Sequence, residues 1–322
     1  MNITSYMRKE RSGLAFTTLE LVKAAQDLGH GVCLREPTDA KGFPGPVLYG
    51  DPSLTPDVET IHSQMPMTSY FNGVPKFFWC HGEPLSSVGN GISMRAIVDL
   101  APKMEAFIAM RAEEASSWAP IKKTYVVPKG IDLDRFHPIT VPAHDPADPT
   151  SKLPGAPAVL YAEHWRGSRN PYLICCAMEK VYKRLPEARL HLYNCTDAKM
   201  HETFRSLIRY TKWWVFIRSL MGAVPDTEIN ALYNRSDIVV SALYPLYARS
   251  IEAFGAGKAF LGPGYTDPAY PFHCTQDPDS IADGICRIWE NYSQVNYRQW
   301  AEQKHDVRET MRQATDIYWR YC

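Results

Sequence analysis

The alternation of short apolar runs with amphipathic segments is the feature that most limits how this chain can fold. In the second half, apolar runs at residues 159–162, 188–193 and 238–240 are each followed by a segment with helical periodicity. Parallel strands need such connections, because a crossover within one sheet takes a dozen or more residues. The first half shows the pattern less regularly, from a strand at residues 2–6 and a helix at residues 17–28. The sequence therefore predicts an α/β protein built on doubly wound parallel sheets.

A proline-rich stretch separates the two halves. Residues 137–157 contain six prolines and no apolar periodicity, which is typical of a stiff linker. A chain of 322 residues is long enough for two domains. We therefore predict a first domain over residues 1–138, completed by a closing helix at about residues 303–322, a linker over residues 139–157 and a second domain over residues 158–302.

The charge and cysteine content argue against several classes of protein. Lysine and arginine total 35, as do aspartate and glutamate, so the whole chain has no strong attraction to nucleic acid or to an anionic membrane. The eight cysteines form no C-x-x-C pair and lie mostly in apolar runs, which predicts buried thiols in a reducing compartment. No secretion signal or membrane-spanning apolar run is recognisable. We expect a cytoplasmic protein.

The stretch that ends at Gly262 has the pattern strand, loop, short helix, strand. The apolar run at residues 238–240 leads into a loop, the next segment carries Ile251 and Phe254 at helical spacing, and Gly257 closes that helix. Such a loop lies outside the carboxyl end of a strand and enters a helix N-terminus, where open α/β sheets bind ligands and where free N–H groups favour anions. Glu252 lies in the first turns of this helix. A carboxylate there either binds a ligand or complements the helix dipole.

Two arginine-bearing loops precede helices at strand ends. Residues 163–170 carry Arg166 and Arg169, and residues 244–250 carry Arg249. Guanidinium groups and the N–H groups of a helix N-terminus bind phosphate groups by charge-assisted hydrogen bonds. Two such loops in register therefore predict a diphosphate site.

Other signals narrow the kinds of chemistry. The chain contains no G-x-x-x-x-G-K-[ST] phosphate loop, no G-x-G-x-x-G, no G-x-S-x-G and no zinc-type spacing of His and Cys. His81 follows a strand-like F-F-W-C run; it is a site candidate, although a strand-end histidine bonded to backbone is the simpler explanation. Residues 204–218 interleave basic and aromatic side chains, a pattern that suits nucleic-acid bases. We favour an amphipathic helix followed by a core strand.

Three stretches resemble the GT-B family of retaining, nucleotide-sugar-dependent glycosyltransferases. Residues 126–138 read V-V-P-K-G-I-D-L-D-R-F-H-P and are similar to the family's V-I-P-N-G-V-D-x-x-R-F-x-P signature. Residues 159–174 are similar to its V-G-R-L…K-G…L-I loop, and residues 236–262 to its donor site with the ending E-A-x-A-x-G. The resemblance covers most of the chain. It implies a GT-B architecture, with two Rossmann-like doubly wound domains that face each other across a cleft.

The resemblance also implies a reaction and a set of site residues. The reaction is metal-independent transfer of a sugar from a UDP- or GDP-sugar to an acceptor hydroxyl, with retention of configuration and no prosthetic group. The implied catalytic residues are His81, Arg169 and Glu252, and the implied donor-binding residues are Gly13, His164, Arg166, Val224, Tyr244, Arg249 and Glu252.

Individual roles follow from the family's pattern. Arg169 takes the place of its diphosphate-binding lysine, and His164 takes the place of its arginine. Glu252 corresponds to the second glutamate of a pair and would contact the donor ribose. The loop at Gly13 would approach the donor phosphate, and His81 would lie beside the transferred sugar.

The acceptor and the activity itself have alternatives. A saccharide or glycoconjugate is the expected acceptor. The first domain is compact, as in virus-encoded relatives, so a hydroxymethylated base in phage DNA is an alternative acceptor. Tyr244 stands where the family has the first glutamate of its pair, eight residues before Glu252. A non-catalytic nucleotide-sugar-binding protein is therefore a second alternative.

Overall fold

The chain divides into two units in the computed structural model. The first unit comprises Met1–Asp132 and His305–Cys322, and the second comprises Leu133–Lys304. The structure describes residues 1–7, 13–36, 46–62, 73–80, 94–161, 171–192, 202, 206, 208, 210–220, 224, 225, 227–242 and 248–322.

Strands and helices alternate through both units. The strands are β1 Asn2–Tyr6, β2 Gly31–Arg35, β3 Val47–Gly50, β4 Val58–Ile61, β5 Lys76–Cys80, β6 Ala106–Ala109, β7 Thr124–Val126, β8 Ala158–Tyr161, β9 Arg189–Leu192, β10 Ile217–Leu220, β11 Ile238–Val240 and β12 Ala259–Leu261. The helices are α1 Gly13–Asp27, α2 Met94–Leu100, α3 Ala112–Trp118, α4 Pro171–Arg184, α5 Ile229–Arg235, α6 Ala248–Gly255, α7 Pro278–Glu290, α8 Tyr297–Lys304 and α9 Val307–Tyr318. The predicted α/β class is confirmed.

The first unit is built on a seven-stranded sheet with the order β3-β2-β1-β4-β5-β6-β7. Its strands pair in parallel except β3, which is antiparallel to β2 at the edge. Helices α1 and α9 cover one face, and α2 and α3 cover the other. Both faces of the inner strands are buried, and β6 is accordingly apolar along its whole length. The buried polar side chains of β1 and β4 pair with each other, since Ser5 Oγ lies 2.8 Å from Thr60 Oγ1 and the Tyr6 hydroxyl donates to Glu59 Oε1 at 3.0 Å.

Helix α9 is part of the first unit's core although it lies at the far end of the chain. The indole Nε1 of Trp79 in β5 donates to the hydroxyl of Tyr318 at 2.9 Å. The Tyr318 ring also packs on Phe77, with ring centroids 4.6 Å apart. The chain enters this helix beside the point where it leaves the first unit, since Ile131 N donates to His305 O at 2.8 Å and Val307 N donates to Ile131 O at 3.0 Å.

The second unit is built on a five-stranded, fully parallel sheet with the order β10-β9-β8-β11-β12. The chain runs outward from β8 through β9 to β10, and then returns to the other side of β8 to form β11. The direction of winding therefore reverses between β8 and β11. Tyr161 and Val240, the last residues of these two strands, lie directly opposite each other.

Several element boundaries differ from those that the sequence predicts. Helix α1 begins at Gly13 and not at residue 17. Residues 94–118 predict a mostly helical segment broken at Pro102, with a short buried strand over residues 106–110 as an alternative; the structure has α2 and α3 with the buried strand β6 between them. Residues 214–217 predict a strand, but Trp213–Val215 is a short 3-10 helix and β10 begins at Ile217.

The sequence of residues 297–318 predicts one continuous helix, but the structure has two helices there, α8 and α9. Asp306 lies between α8 and α9 and has extended backbone angles. Its carboxylate Oδ1 accepts a hydrogen bond from Arg308 N at 2.8 Å, so it caps the second helix. Continuous periodicity on both sides of this cap explains why the sequence suggested one helix.

The cysteines and the membrane question can be assessed over the described ranges. The seven cysteines found there are free thiols. Four of them are buried, as predicted, whereas Cys176 and Cys274 are half-buried and Cys322 is exposed. Cys195 lies outside those ranges. None of the helices that the structure describes is both long enough and apolar enough to pass through a bilayer.

Candidate functional site

The reversal of winding between β8 and β11 places the carboxyl ends of two neighbouring strands side by side. Residues 162–170 follow β8 and lead to α4, and residues 243–247 follow β11 and lead to α6. Both segments leave the carboxyl ends of adjacent parallel strands. Ligands of open α/β sheets bind at this position, outside the strand ends at the switch point. The second unit thus has the sheet topology that the predicted diphosphate site, with its two arginine-bearing loops, requires.

The amino ends of the same two strands are held in register by Asp237. Its N–H donates to Ala158 O at 2.9 Å, and its carboxylate Oδ2 accepts from Ala158 N at 2.9 Å. The other carboxylate oxygen lies 2.9 Å from Lys152 Nζ. Because the strands are short, this fixed start also fixes where their carboxyl ends lie.

The structure describes some of the predicted site residues. Glu252 lies in the second turn of α6, and Arg249 is the second residue of that helix. Gly13 is the first residue of α1 in the first unit. Val224 is half-buried in the connection between β10 and α5. The remaining predicted residues lie outside the described residues, namely His81, His164, Arg166, Arg169 and Tyr244.

Glu252 is a buried carboxylate with a defined partner. Only 9% of the residue is exposed. Its Oε2 accepts a hydrogen bond from the hydroxyl of Tyr233 at 2.9 Å. Tyr233 lies on α5 and is fully buried, and its ring packs on Phe136 at 6.2 Å between centroids. Buried carboxylates require such partners, because an unpaired buried charge is costly.

The C-terminal end of α6 is fixed by backbone geometry. Gly257 has a φ of 73°, which suits glycine because it lacks a Cβ. Gly257 N donates to Phe254 O, and Lys258 N donates to Ala253 O, each at 2.9 Å. These two bonds form a Schellman motif. They end the helix where the sequence predicts.

Arg298 of α8 fastens the same end of α6 to the chain segment before the second sheet. Its Nη1 donates to Gly255 O at 3.0 Å, to Leu133 O at 3.1 Å and to Phe136 O at 2.7 Å. A guanidinium at a helix C-terminus also interacts favourably with the helix dipole. Arg298 and Tyr233 therefore support α6 from two other helices.

Sequence reasoning missed both of these supporting residues. Tyr233 lies 19 residues before Glu252, and Arg298 lies 43 residues after Gly255. Neither occupies a recognisable spacing relative to its partner. The one available signal was chemical, because a buried carboxylate on α6 needs a donor, and a tyrosine on the preceding helix is able to supply one.

The basic and aromatic stretch at residues 204–218 is packed where the structure describes its rings. Trp213 is 5% exposed, and its Nε1 donates to Glu179 Oε2 of α4 at 3.2 Å. Phe216 is 1% exposed and packs on Tyr182. These two rings belong to the core, as the packing interpretation predicts, so they are not available to stack on bases. Arg205 and Arg209 lie outside the described residues.

Among the residues that the structure describes, no group of three or more His, Cys, Asp or Glu side chains is arranged to hold a metal ion.

Comparisons with known proteins address the fold. No family model matches the sequence, and no curated protein matches it. Sucrose-phosphate synthase from Thermosynechococcus elongatus has a TM-score of 0.71 at 13% identity, with 100% of this chain and 99% of that chain covered. Anabaena HepE, in complex with UDP and glucose, has a TM-score of 0.68 at 15% identity, with 98% and 99% covered.

A third similar structure is an alpha-glucosyltransferase in complex with UDP and a 13-mer DNA containing an HMU base. It has a TM-score of 0.69 at 11% identity, and 99% of each chain is covered. Likeness at this level of identity shows the fold. The chain has the GT-B fold of these glycosyltransferases, as the sequence predicted.

Proposed function

We propose that the chain is a retaining glycosyltransferase that moves a sugar from a UDP- or GDP-sugar to an acceptor hydroxyl without a metal ion. The observation that supports this most directly is the switch point of the second sheet, with Glu252 held beside it by Tyr233. The full-length likeness to structures in complex with UDP supports the same conclusion. A reducing compartment suits the described thiols, so we assign the protein to the cytoplasm.

In the proposed mechanism, the second unit binds the donor and stabilises its leaving group. Arg169, Arg166 and His164, from the segment after β8, donate to the diphosphate. Arg249 and the N-terminus of α6 add positive potential, and Glu252 accepts hydrogen bonds from the ribose. Stabilising the charge that develops on the departing diphosphate lowers the barrier.

The remaining roles belong to the sugar and the acceptor. The bond between the anomeric carbon and the diphosphate oxygen breaks, and the acceptor hydroxyl attacks from the same face. His81 lies beside the transferred sugar in this proposal, Gly13 approaches the donor phosphate, and Val224 and Tyr244 complete the donor site. The acceptor proton leaves with the diphosphate.

The acceptor that we propose is a saccharide or glycoconjugate. A hydroxymethylated base in DNA is a second candidate, because one structure with a TM-score of 0.69 is an alpha-glucosyltransferase in complex with DNA. Salt-sensitive binding to DNA with hydroxymethylated bases, without binding to oligosaccharides, would favour this second candidate. Failure to bind DNA at low salt would exclude it.

The test is release of nucleoside diphosphate from a panel of UDP- and GDP-sugars, with saccharides and hydroxymethylated DNA as acceptors. We expect release with at least one donor, and a loss of roughly a hundredfold or more in Glu252→Ala, because a buried group that contacts the ribose is removed. The matched control is Glu302→Ala, which removes a half-exposed carboxylate paired with Arg298.

Two outcomes would contradict the proposal. Absence of release and of thermal stabilisation with every donor would contradict a nucleotide-sugar enzyme. Tight donor binding without turnover on any acceptor would instead favour the non-catalytic binding protein.

A further inference from the structure

Glu252 accepts a hydrogen bond from a neutral donor on another helix. The Tyr233 hydroxyl lies 2.9 Å from Oε2 of Glu252, and both residues are at least nine-tenths buried. A phenol is protonated at neutral pH and donates one hydrogen bond. It therefore holds the carboxylate in place without bringing a positive charge to it. A lysine or an arginine in the same position would bring one.

The hydrogen bond also sets a direction. The terminal torsion of a glutamate side chain is broad and weakly preferred by itself. When Oε2 is bound to a fixed hydroxyl, the carboxylate plane is fixed and so is the direction in which Oε1 points. A carboxylate that recognises a hydroxyl pair needs this defined orientation, because hydrogen bonds weaken steeply as their angle departs from linearity.

Tyr233 is itself rigidly placed. Its ring packs on Phe136, and its helix is tied to the chain just beyond Phe136. Asn234 Nδ2 donates to His137 O at 3.0 Å, and Asn234 Oδ1 accepts from Ile139 N at 2.9 Å. Asn230 Oδ1 accepts from His137 N at 3.2 Å. The hydroxyl of Tyr233 thus belongs to a fixed framework.

We propose that Tyr233 is a positioning residue that aligns Glu252 with the donor ribose, so that the pair selects ribonucleoside diphosphates over their deoxy forms. This inference rests on the proposed function, since it takes Glu252 as the ribose-contacting residue. A ligand without the hydroxyl loses the hydrogen bond that the aligned carboxylate would accept from it. Sites built to hydrogen-bond a substrate hydroxyl reject the analogue that lacks it for this reason.

The experiment measures dissociation constants for UDP and GDP and for their 2′-deoxy and 3′-deoxy forms by titration calorimetry. For the wild-type chain we expect the ribose form to bind roughly 10- to 100-fold more tightly than one deoxy form, the range for a hydrogen bond to a charged group. In Tyr233→Phe the ribose form should bind roughly 3- to 10-fold more weakly, whereas the deoxy form should bind as before.

Two variants complete the design. Glu252→Gln should bring the ratio between the deoxy and ribose constants close to one. Tyr292→Phe is the matched control, because Tyr292 also donates a hydrogen bond from a half-buried ring in the same unit, to Asp237 O at 3.0 Å. It should lose comparable stability and keep the wild-type ratio. The ratio thus separates positioning from a general loss of packing.

The outcomes distinguish this inference from the proposed function. A wild-type ratio in Tyr233→Phe, with a lowered ratio in Glu252→Gln, would overturn the role of Tyr233 alone. Unchanged ratios in both variants would overturn the assignment of Glu252 to the ribose. A wild-type chain that binds none of the nucleotides would contradict the proposed function, and with it this inference.

Discussion

Two buried histidines make the stability of the chain depend on pH. His62 follows β4, where its Nε2 lies 3.1 Å from Thr60 Oγ1 and its ring stacks on Trp79. His191 lies in β9, with Nε2 2.8 Å from Pro154 O. Burial lowers the pKa of His62 to about 3 and that of His191 to about 4. Both rings are therefore neutral in the folded chain at mildly acidic pH.

The sign of the effect follows from comparison with the unfolded chain, where a histidine has a pKa near 6.5. The unfolded chain binds these protons more readily than the folded chain does. The free energy of unfolding therefore falls as the pH drops below about 6.5, and the fall continues until about pH 3 for His62 and about pH 4 for His191.

We expect a change from about pH 7 to about pH 5 to lower the free energy of unfolding by an amount on the order of 2 kcal/mol for each histidine. Urea unfolding across this range measures it. His62→Gln and His191→Gln should each flatten this dependence relative to the wild-type chain. A wild-type pH dependence in both variants would contradict the assignment to the buried rings.

At the scale of helices and strands, the sequence predicts the elements whose own apolar periodicity is regular. The stretch from β11 through α6 to β12 follows its apolar periodicity and ends at Gly257 as predicted. The sequence of residues 106–109 suits either part of a helix or a short buried strand. In the structure these residues form strand β6, because they pair with β5. Local propensity does not distinguish the two structures, since the same apolar run also suits a buried helix.

The contacts that position the candidate site were not predictable in this way. The bonds from Tyr233 to Glu252 and from Arg298 to Gly255 join different helices across long sequence separations. They depend on how the helices pack on the second sheet, and no local periodicity encodes that packing. The roles of Arg169 and the other loop residues stay predictions.

The anchoring of α6 by Arg298 gives a prediction at this scale. Arg298→Met retains the side-chain stem but leaves Gly255 O, Phe136 O and Leu133 O without this donor. We expect a loss of about 2–4 kcal/mol in the free energy of unfolding, because buried polar groups lose a charged partner. Urea unfolding followed by circular dichroism measures the change.

Arg184 provides the control for that variant. It forms an ion pair with Asp283 in the same unit, and both side chains are largely exposed. Arg184→Met should change the free energy of unfolding by less than about 1 kcal/mol. Equal losses in the two variants would show that Arg298 acts only as a surface charge.

At the scale of the whole molecule, the first unit depends on residues from both ends of the chain. Helix α9 places Met311, Ala314, Ile317 and Tyr318 in the core that α1 shares with the sheet. The contact between Trp79 and Tyr318 joins residues 239 positions apart. Long-range contacts of this kind form late, because the loop-closure entropy is lost before the contact contributes.

Tyr318 and its neighbour Trp319 test this dependence. Tyr318 is fully buried, whereas Trp319 is 57% exposed. We expect Tyr318→Ala to lower the free energy of unfolding of the first unit by about 3–5 kcal/mol, and Trp319→Ala to change it by less than about 0.5 kcal/mol. Hydrogen exchange of the backbone amides in β5 and β6 measures the unfolding of the first unit specifically. A small effect at Tyr318 would show that α9 is dispensable.

The return of the chain to the first unit has a consequence for its synthesis on the ribosome. The second unit is a continuous stretch, Leu133–Lys304, inserted between two neighbouring points of the first. Domains usually fold in the order in which they emerge during translation. Here the unit that emerges first lacks a core helix until residues 307–318 have left the exit tunnel. The second unit is therefore complete first, and a nascent chain stalled before α9 exposes the apolar face of β5 and β1 to chaperones.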